Sequence, residues 1–194
     1  MMSQRRLILL SLLASGLGVS ACSPKETPGA AQGSKRTASV EILAAEAKGF
    51  TVGAMMSANA VYVMFDAQCP HCARLWQAAI PLQKKAKFVW IPVALLGAAS
   101  TTQGAALLSA ADPAQAMTEH EASLLAGSGG IPASASVTPA MEAAIKGNTR
   151  LFNELGVESV PFIVARNPRT GLTVTNQGSM GTEALAALIG VDPP

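Results

Sequence analysis

One segment constrains the fold of this chain more than any other: an apolar strand that runs directly into two cysteines at the mouth of a helix. Residues 60–65 are a continuous apolar, β-branched and aromatic run, which is typical of a strand buried on both faces. Cys69 and Cys72 follow, separated by two residues, and residues 73–80 have helical composition. A second buried strand is predicted at 88–93. This order of strand, cysteine turn, helix and strand indicates an α/β domain.

The globular part is predicted to begin at Ser39 and to extend to residue 194. Apolar residues make up 49% of the chain and charged residues only 13%, so the chain can bury a core and wholesale disorder is excluded. Ser39 is predicted to cap a first helix that ends at Gly49. Further elements are predicted as a short strand at 50–56, two or three short helices within 103–127, a helix from Thr138 and Pro139 to Gly156, strands at 160–165 and 172–175, and a last helix capped by Thr182 that ends at Ile189.

The chain has three cysteines, too few for a disulfide-stapled scaffold. Cys69 is predicted to lie just before a helix, where unpaired N–H groups and the positive end of the dipole stabilise a thiolate. The thiolate is the attacking species, so we expect Cys69 to be the nucleophile. Cys72, one turn inside the helix, is placed to close a disulfide with it and is predicted to be the resolving thiol.

The two residues between the cysteines have predicted roles of their own. Pro70 occupies the first helical turn without losing a needed hydrogen bond. His71 is predicted to add partial positive charge and a further donor near the Cys69 sulfur. Both effects favour the thiolate, and hence the reduced form, which makes the disulfide more oxidising.

Two segments resemble a known family. Residues 62–72 (Tyr-Val-Met-Phe-Asp-Ala-Gln-Cys-Pro-His-Cys) are similar to the active-site segment of the thioredoxin-fold periplasmic Dsb proteins, and residues 156–162 (Gly-Val-Glu-Ser-Val-Pro-Phe) resemble their cis-proline loop. The resemblance covers about residues 40–190. Within the family, the features most similar to the catalytic domain of DsbG and DsbC are the spacing of Asp66 and Cys69, Trp76, and residues 119–123.

The resemblance implies a thioredoxin-like domain at 39–194, with a central mixed sheet flanked by helices and a helical insert at about 100–155. It implies a thiol:disulfide oxidoreductase that uses the Cys69–Cys72 pair and no other cofactor. It also implies a cis bond between Val160 and Pro161 that exposes the backbone of Val160 to a substrate strand. The alternative is a trans proline that merely opens a strand.

Two departures from the DsbC and DsbG branch leave the direction of electron flow open. The Pro-His dipeptide and Val160 resemble the oxidase DsbA, because that branch usually has threonine before the cis-proline. The isomerases also have an N-terminal dimerisation domain, whereas here only a tether and a short helix precede the catalytic domain. We therefore expect a monomer. A DsbD-like membrane donor is implied if the protein reduces or interchanges disulfides on client proteins, and a DsbB-like acceptor if it oxidises them.

The N-terminus is predicted to be a lipoprotein signal peptide over residues 1–21. Arg5 and Arg6 form a positive region, an apolar stretch too short for a comfortable membrane span follows, and Val-Ser-Ala precedes Cys22. This order resembles the bacterial lipobox, which implies acylation of Cys22; an ordinary secretory signal is the alternative. Residues 22–38 are then the lipid anchor and a flexible tether. Ser23 after the cysteine favours the outer membrane, facing the periplasm.

Other functions are less well supported by the sequence. The formal net charge is +2, and removal of residues 1–21 leaves 12 basic and 12 acidic residues, so no nucleic acid partner is predicted. The Cys-x-x-Cys spacing matches half of a zinc site, but only His71 and His120 remain as further ligands and no metal is predicted. A non-catalytic lipoprotein that binds peptides or a metal is the rival class.

Four further residues are interpreted as structural. His120 is predicted to be a solvated helical residue, and Trp90 is predicted to pack in the core. Trp76 is predicted to pack in the core or at its rim, with substrate recognition as the alternative. Asp66 is predicted either to cap the turn before the cysteines or to influence the active-site protons.

Overall fold

The computed structural model describes residues 35–132 and 137–194. The predicted signal peptide, Cys22 and most of the tether lie outside these described residues. The helices are α1 (Val40–Glu46), α2 (Pro70–Ala79), α3 (Ala99–Ser109), α4 (Pro113–Leu125), α5 (Pro139–Glu154) and α6 (Thr182–Ile189), with a 3₁₀ helix at Ile80–Leu82. The strands are β1 (Phe50–Gly53), β2 (Ala60–Asp66), β3 (Lys87–Val93), β4 (Phe162–Arg166) and β5 (Thr173–Gln177).

The five strands form one mixed sheet in the order β1-β3-β2-β4-β5. The central strand β2 pairs parallel with β3 and antiparallel with β4, so that Val63 lies between Trp90 and Ile163. The edge strands β1 and β5 are antiparallel to their neighbours. The predicted α/β class with a central mixed sheet flanked by helices is therefore confirmed. The insert between β3 and β4 consists of α3, α4 and α5.

Two helices begin where the sequence predicts, one at the predicted cap Ser39 and one at Thr138 and Pro139. Ser39 Oγ accepts a hydrogen bond from the Ile42 N–H at 3.3 Å, and Thr138 Oγ1 accepts one from the Met141 N–H at 3.3 Å. The predicted cap at Thr182 is wrong. Gly181 is the N-cap of α6, and the Thr182 hydroxyl instead donates to the carbonyl of Ala78 at 3.0 Å. This bond ties α6 to the end of α2.

Strand limits differ from the prediction where the backbone cannot extend the ladder. The strand predicted at 50–56 ends at Gly53, whose φ is 91°. A Cβ at Gly53 would lie 2.7 Å from the Ala86 carbonyl oxygen, so the close approach requires glycine. The strand predicted at 160–165 begins at Phe162, because Pro161 has no N–H to donate.

An aromatic row joins the active-site helix to the sheet. Trp76 on α2 packs edge-to-face on Trp90 of β3 with ring centroids 5.1 Å apart, Trp90 packs on Phe65 at 5.6 Å, and Phe65 packs on Phe50 at 6.1 Å. Trp76 and Trp90 are buried, so their predicted core positions are confirmed. Over residues 35–132 and 137–194, no helix is both long and apolar enough to span a bilayer.

Candidate active site

The two cysteines lie at the N-terminus of α2, directly after β2. Cys69 is the N-cap of the helix in extended conformation, Pro70 is its first residue, and Cys72 lies in its first turn. The Cys72 N–H donates to the Cys69 carbonyl at 3.0 Å, which holds the first turn closed. Both thiols are free and buried, Cys69 with 4% of its surface exposed and Cys72 with none.

The surroundings of the two sulfurs drive their pKa values apart. The pKa of Cys69 is lowered to about 7, chiefly by a hydrogen bond from the Cys72 thiol. Burial acts in the opposite direction and raises this pKa. The backbone N–H groups of Cys72 and His71 lower it further, and the negative charge of Asp66 raises it. Burial, and then the hydrogen bond and charge of Cys69, raise the pKa of Cys72 well above its ordinary value. These directions are the ones that a nucleophile and a resolving thiol require.

The loop before β4 closes over the first sulfur. The peptide bond between Val160 and Pro161 is cis, as the resemblance implied. The Cys69 thiol donates to the Val160 carbonyl oxygen, with Sγ and O 3.6 Å apart. Gln177 on β5 holds the loop, because its Oε1 accepts from the Glu158 and Ser159 N–H groups at 3.1 and 3.0 Å. Sequence reasoning missed Gln177, whose partners are nearly twenty positions away.

His71 acts on Cys69 through its backbone and not through its ring. Its exposed imidazole lies with Nδ1 3.2 Å from Arg74 Nη1 and 3.5 Å from Ser179 Oγ. A guanidinium only donates hydrogen bonds, so Nδ1 is the acceptor in the contact with Arg74. The predicted donation from the ring to the sulfur is not among the hydrogen bonds of the described residues. The backbone N–H of His71 instead helps to lower the pKa of Cys69.

Asp66 is a fully satisfied, buried cap. Its Oδ1 accepts from the Gln68 N–H at 2.8 Å and from the Ser100 hydroxyl at 2.7 Å. Its Oδ2 accepts from the Leu95 and Leu96 N–H groups at 2.6 and 3.0 Å. The predicted turn-capping role is confirmed, and the same carboxylate also fixes the loop after β3 against the turn before Cys69.

His120 is buried, so the prediction that it is solvated is wrong. Its Nε2 lies 2.7 Å from the Ala67 carbonyl oxygen, and its Nδ1 accepts from the Ile131 N–H at 3.1 Å. These partners require the neutral tautomer with the proton on Nε2, and burial lowers the pKa of His120. The residue therefore links α4 to the active-site turn.

Glu121 is a site residue that sequence reasoning missed. It is 1% exposed, and burial, with the charge of Cys69, raises its pKa to about 9. A signal existed in the sequence, because Met117, His120 and Glu121 recur at helical spacing and are the buried face of α4.

An open groove of about 450 Å³ runs beside the first cysteine. It brings together the predicted residues Cys69, Pro70, His71 and Val160 with the exposed side chains of Leu95 and Leu96. Pro161 is buried. Two larger cavities border α5 and contain neither cysteine. Over the two described ranges, no three His, Cys, Asp or Glu side chains cluster as they would around a metal ion.

Comparisons with known proteins find similarity to thiol:disulfide interchange proteins. No protein-family model matches the chain. The thiol:disulfide interchange protein DsbG of Pseudomonas aeruginosa is 29% identical over 132 residues, which cover 67% of this chain and 50% of that protein. DsbG of Escherichia coli is 30% identical over 105 residues, which cover 53% of this chain and 42% of that protein. The chain thus spans about half the length of the curated relatives that it matches.

A solved structure supports the same fold. The periplasmic thioredoxin-like protein from Salmonella enterica serovar Typhimurium superimposes with a TM-score of 0.59 at 16% identity, covering 79% of this chain and 97% of that one. The predicted thioredoxin-like fold is confirmed.

Proposed function

We propose that this protein is a thiol:disulfide oxidoreductase of client proteins, with Cys69 as nucleophile and Cys72 as resolving thiol. The observation that supports this most is the position of both cysteines at the N-terminus of α2, with Cys69 Sγ 3.6 Å from the carbonyl oxygen of Val160 before the cis-proline. The lowered pKa of Cys69 and the raised pKa of Cys72 fit the same roles. The Cys69 thiolate attacks a disulfide, or a sulfenic acid, on a client. Cys72 then attacks Cys69 and releases the client thiol.

The proposed direction is reduction or interchange of client disulfides. The overall similarity of the chain to DsbG, at 29–30% identity to two proteins named for thiol:disulfide interchange, supports this direction. A DsbD-like membrane donor would keep the pair reduced.

The alternative direction is oxidation of client dithiols, with a DsbB-like acceptor. The specific observation that favours it is Val160 before the cis-proline together with the Pro-His dipeptide, both of which resemble DsbA. The backbone of Val160 beside Cys69 serves client binding in either direction, since an extended client segment can form hydrogen bonds there.

The proposed location is the periplasm, with a lipid anchor on Cys22, most consistent with the outer membrane. The lipobox-like sequence before Cys22 supports the anchor, and the similar Salmonella protein is periplasmic by name.

Two measurements test the function. Purified protein should reduce insulin with dithiothreitol as donor, and Cys69→Ala should abolish this, whereas Cys22→Ser should leave it unchanged as the matched control. Alkylation of thiols in intact cells should find the Cys69–Cys72 pair mostly reduced. A predominantly oxidised pair favours the oxidase, and no exchange activity in the native protein contradicts the proposed function and favours a binding module.

A further inference from the structure

The end of the sheet opposite the dithiol presents a surface of its own. β2 leads into Cys69 at its carboxyl end, so its first residue, Ala60, marks the other end. Ala60 pairs with Lys87 at the start of β3, and Lys87 pairs with Gly53 at the end of β1. β4 is antiparallel to β2 and therefore also ends there. Three turns form this surface, here termed the distal face: residues 54–59, 83–87 and 167–172.

The distal face exposes large apolar side chains. Met56 is 97% exposed, Leu172 is 65% exposed and Met55 is 58% exposed. No other large apolar side chain of residues 35–132 and 137–194 exceeds the 57% of Leu96 beside the dithiol. The methionines follow β1 and Leu172 precedes β5, and these are the two edges of the five-stranded sheet. The apolar side chains therefore lie at points roughly 20 Å apart and do not line one groove.

Three lysines of the same face have no acidic partner. Lys84 and Lys85 are exposed in the turn before β3, and Lys87 is half-buried at the start of that strand. Within the described residues, none of the three forms an ion pair. The Lys85 ammonium donates to the backbone carbonyl oxygens of Asp192 and Pro193, at 3.0 and 2.7 Å. The turn at 83–87 thus has three positive charges that no carboxylate neutralises.

The other charged side chains at this end neutralise one another. Arg166, the last residue of β4, pairs with Glu41 at 2.9 Å. Arg169, in the turn after β4, pairs with Asp192. The predicted mature chain has equal numbers of basic and acidic residues, so the positive surplus is a local property of the distal face.

Backbone hydrogen bonds hold the methionines beside the lysines. The Ala54 N–H donates to the Ala86 carbonyl at 3.1 Å, and the Lys87 N–H donates to the Asn59 carbonyl at 3.0 Å. The Ser57 N–H donates to the Ala54 carbonyl at 2.8 Å and closes the methionine turn. The apolar side chains and the cations are therefore presented together, in a fixed arrangement.

Apolar side chains flanked by cations match the chemistry of an anionic bilayer. Lysines near such a surface are attracted by its lipid phosphates, while apolar side chains enter the boundary between headgroups and acyl chains. A bilayer is flat and continuous, so it reaches all the apolar points of the distal face at once. An acidic protein surface would attract the lysines but would have to cover separated points at both edges of the sheet.

We propose that the distal face docks on an anionic phospholipid bilayer and thereby directs the dithiol away from the membrane. The inference goes beyond the thiol chemistry and uses neither cysteine of the pair, but it rests on the proposed location at a membrane. β2 has seven residues and rises about 3.3 Å per residue, so the dithiol lies roughly 20 Å beyond the distal face. The groove beside Cys69 then opens toward client proteins in solution.

The length of the predicted tether permits this orientation. The Arg36 N–H donates to the Glu154 carbonyl at 3.0 Å, at the end of α5. This contact lies at the dithiol end, because Asn153 lines the groove beside Cys69. Residues 22–34 can span up to roughly 45 Å when extended, which exceeds the length of the sheet between its two ends.

The test places a fluorescent probe on the distal face of the full, anchored protein. The lipoprotein is reconstituted into vesicles of phosphatidylglycerol and phosphatidylethanolamine, or of phosphatidylcholine alone, with and without brominated acyl chains that quench indoles on contact. Met56→Trp provides the probe, because Trp76 and Trp90 are buried. We expect bromine to lower its emission by roughly half on the anionic vesicles, since such side chains enter the acyl boundary, and to have little effect on phosphatidylcholine. Leu96→Trp, at the dithiol end, is the matched control and should not be quenched on either.

Charge reversal shows whether the lysines cause the docking. In the Met56→Trp protein, Lys84→Glu together with Lys87→Glu should abolish the quenching, since each lysine near an anionic surface contributes about fivefold to binding. Lys146→Glu together with Arg150→Glu makes the same change of charge at exposed positions of α5 and should leave the quenching unchanged. If the first double variant does not fold, high salt should relieve the quenching of Met56→Trp by screening the same charges.

Each outcome decides the proposal. Emission of Met56→Trp that bromine leaves unchanged on anionic vesicles overturns it and favours a protein partner for the distal face. Quenching that neither high salt nor Lys84→Glu with Lys87→Glu reduces overturns it as well.

Failure of the proposed anchor or of the thiol chemistry is seen separately. Wild type that does not float with phosphatidylcholine vesicles in a density gradient contradicts the anchor. Flotation with the anionic vesicles then tests the distal face directly, and wild type that floats no better than Lys84→Glu with Lys87→Glu overturns the proposal. Insulin reduction in solution should be the same in both proteins, and its absence from wild type contradicts only the proposed thiol chemistry.

Discussion

Glu121 should make the free energy of unfolding of this protein depend on pH, and the substitution Glu121→Gln should remove that dependence. The unfolded chain ionises this carboxyl at its ordinary pKa of 4.5, whereas the folded protein holds it protonated up to about pH 9. Because the folded pKa is raised, the folded state retains a proton that the unfolded state loses. The stability of wild type therefore falls as the pH rises from 4.5 toward 9.

The size of the effect follows from the two pKa values. Each pH unit inside the window costs about 1.4 kcal/mol, so between pH 4.5 and pH 7 the wild type should lose about 3 kcal/mol relative to Glu121→Gln, which does not ionise. Both side chains leave a buried polar group without a partner, so that cost largely cancels in the comparison.

Urea denaturation provides the assay. The fluorescence of the buried residues Trp76 and Trp90 reports unfolding of the reduced protein at both pH values, with linear extrapolation to water. Glu119→Gln, altered at an exposed position of the same helix, should follow the wild type. If wild type and Glu121→Gln show the same pH dependence to within about 0.5 kcal/mol, the carboxyl ionises normally and the reasoning is refuted.

Three further outcomes are expected. Cys72→Ala should raise the alkylation midpoint of Cys69 above its value of about 7, since it removes the thiol donor; an unchanged midpoint would rule out that hydrogen bond. His120→Ala should lower the free energy of unfolding by about 2–4 kcal/mol, because a buried carbonyl and a buried N–H lose their partner; a loss below 1 kcal/mol would argue against its burial. Asp66→Asn should lower the alkylation midpoint of Cys69, since it removes an opposing charge, and a rise would contradict this.

The sequence predicted those parts of the structure whose causes are local. The strand at 60–65, the turn with Cys69 and Cys72 and the helix after it are specified by hydrophobic pattern and by proline at the first helical position. Ser39 and Thr138 cap their helices through a similarly local contact, because each side chain accepts a hydrogen bond from the backbone N–H three residues further along. Thr182 has the same local features as those caps, but a tertiary contact with Ala78 uses its hydroxyl instead.

The parts that escaped prediction depend on contacts between distant segments. Residues 119–121 alternate charged and polar types, which locally indicate a solvated helix. His120 and Glu121 are nevertheless buried, while Glu119 stays exposed, because α4 packs on α2, about fifty positions earlier in the chain. The orientation of the His71 ring is likewise decided by Arg74 and Ser179, and Ser179 lies more than a hundred residues away.

The bond between the Cys69 thiol and the Val160 carbonyl couples the ionisation of the nucleophile to the availability of a docking position. The thiol can donate to that carbonyl oxygen, 3.6 Å away, only while it holds its proton. The thiolate has no proton to donate, so the carbonyl loses this partner at the moment when Cys69 becomes reactive. An incoming backbone N–H can then take the vacated position. Deprotonation of Cys69 thus makes the sulfur reactive and at the same time frees the Val160 carbonyl oxygen to accept a hydrogen bond from the client polypeptide that Cys69 attacks.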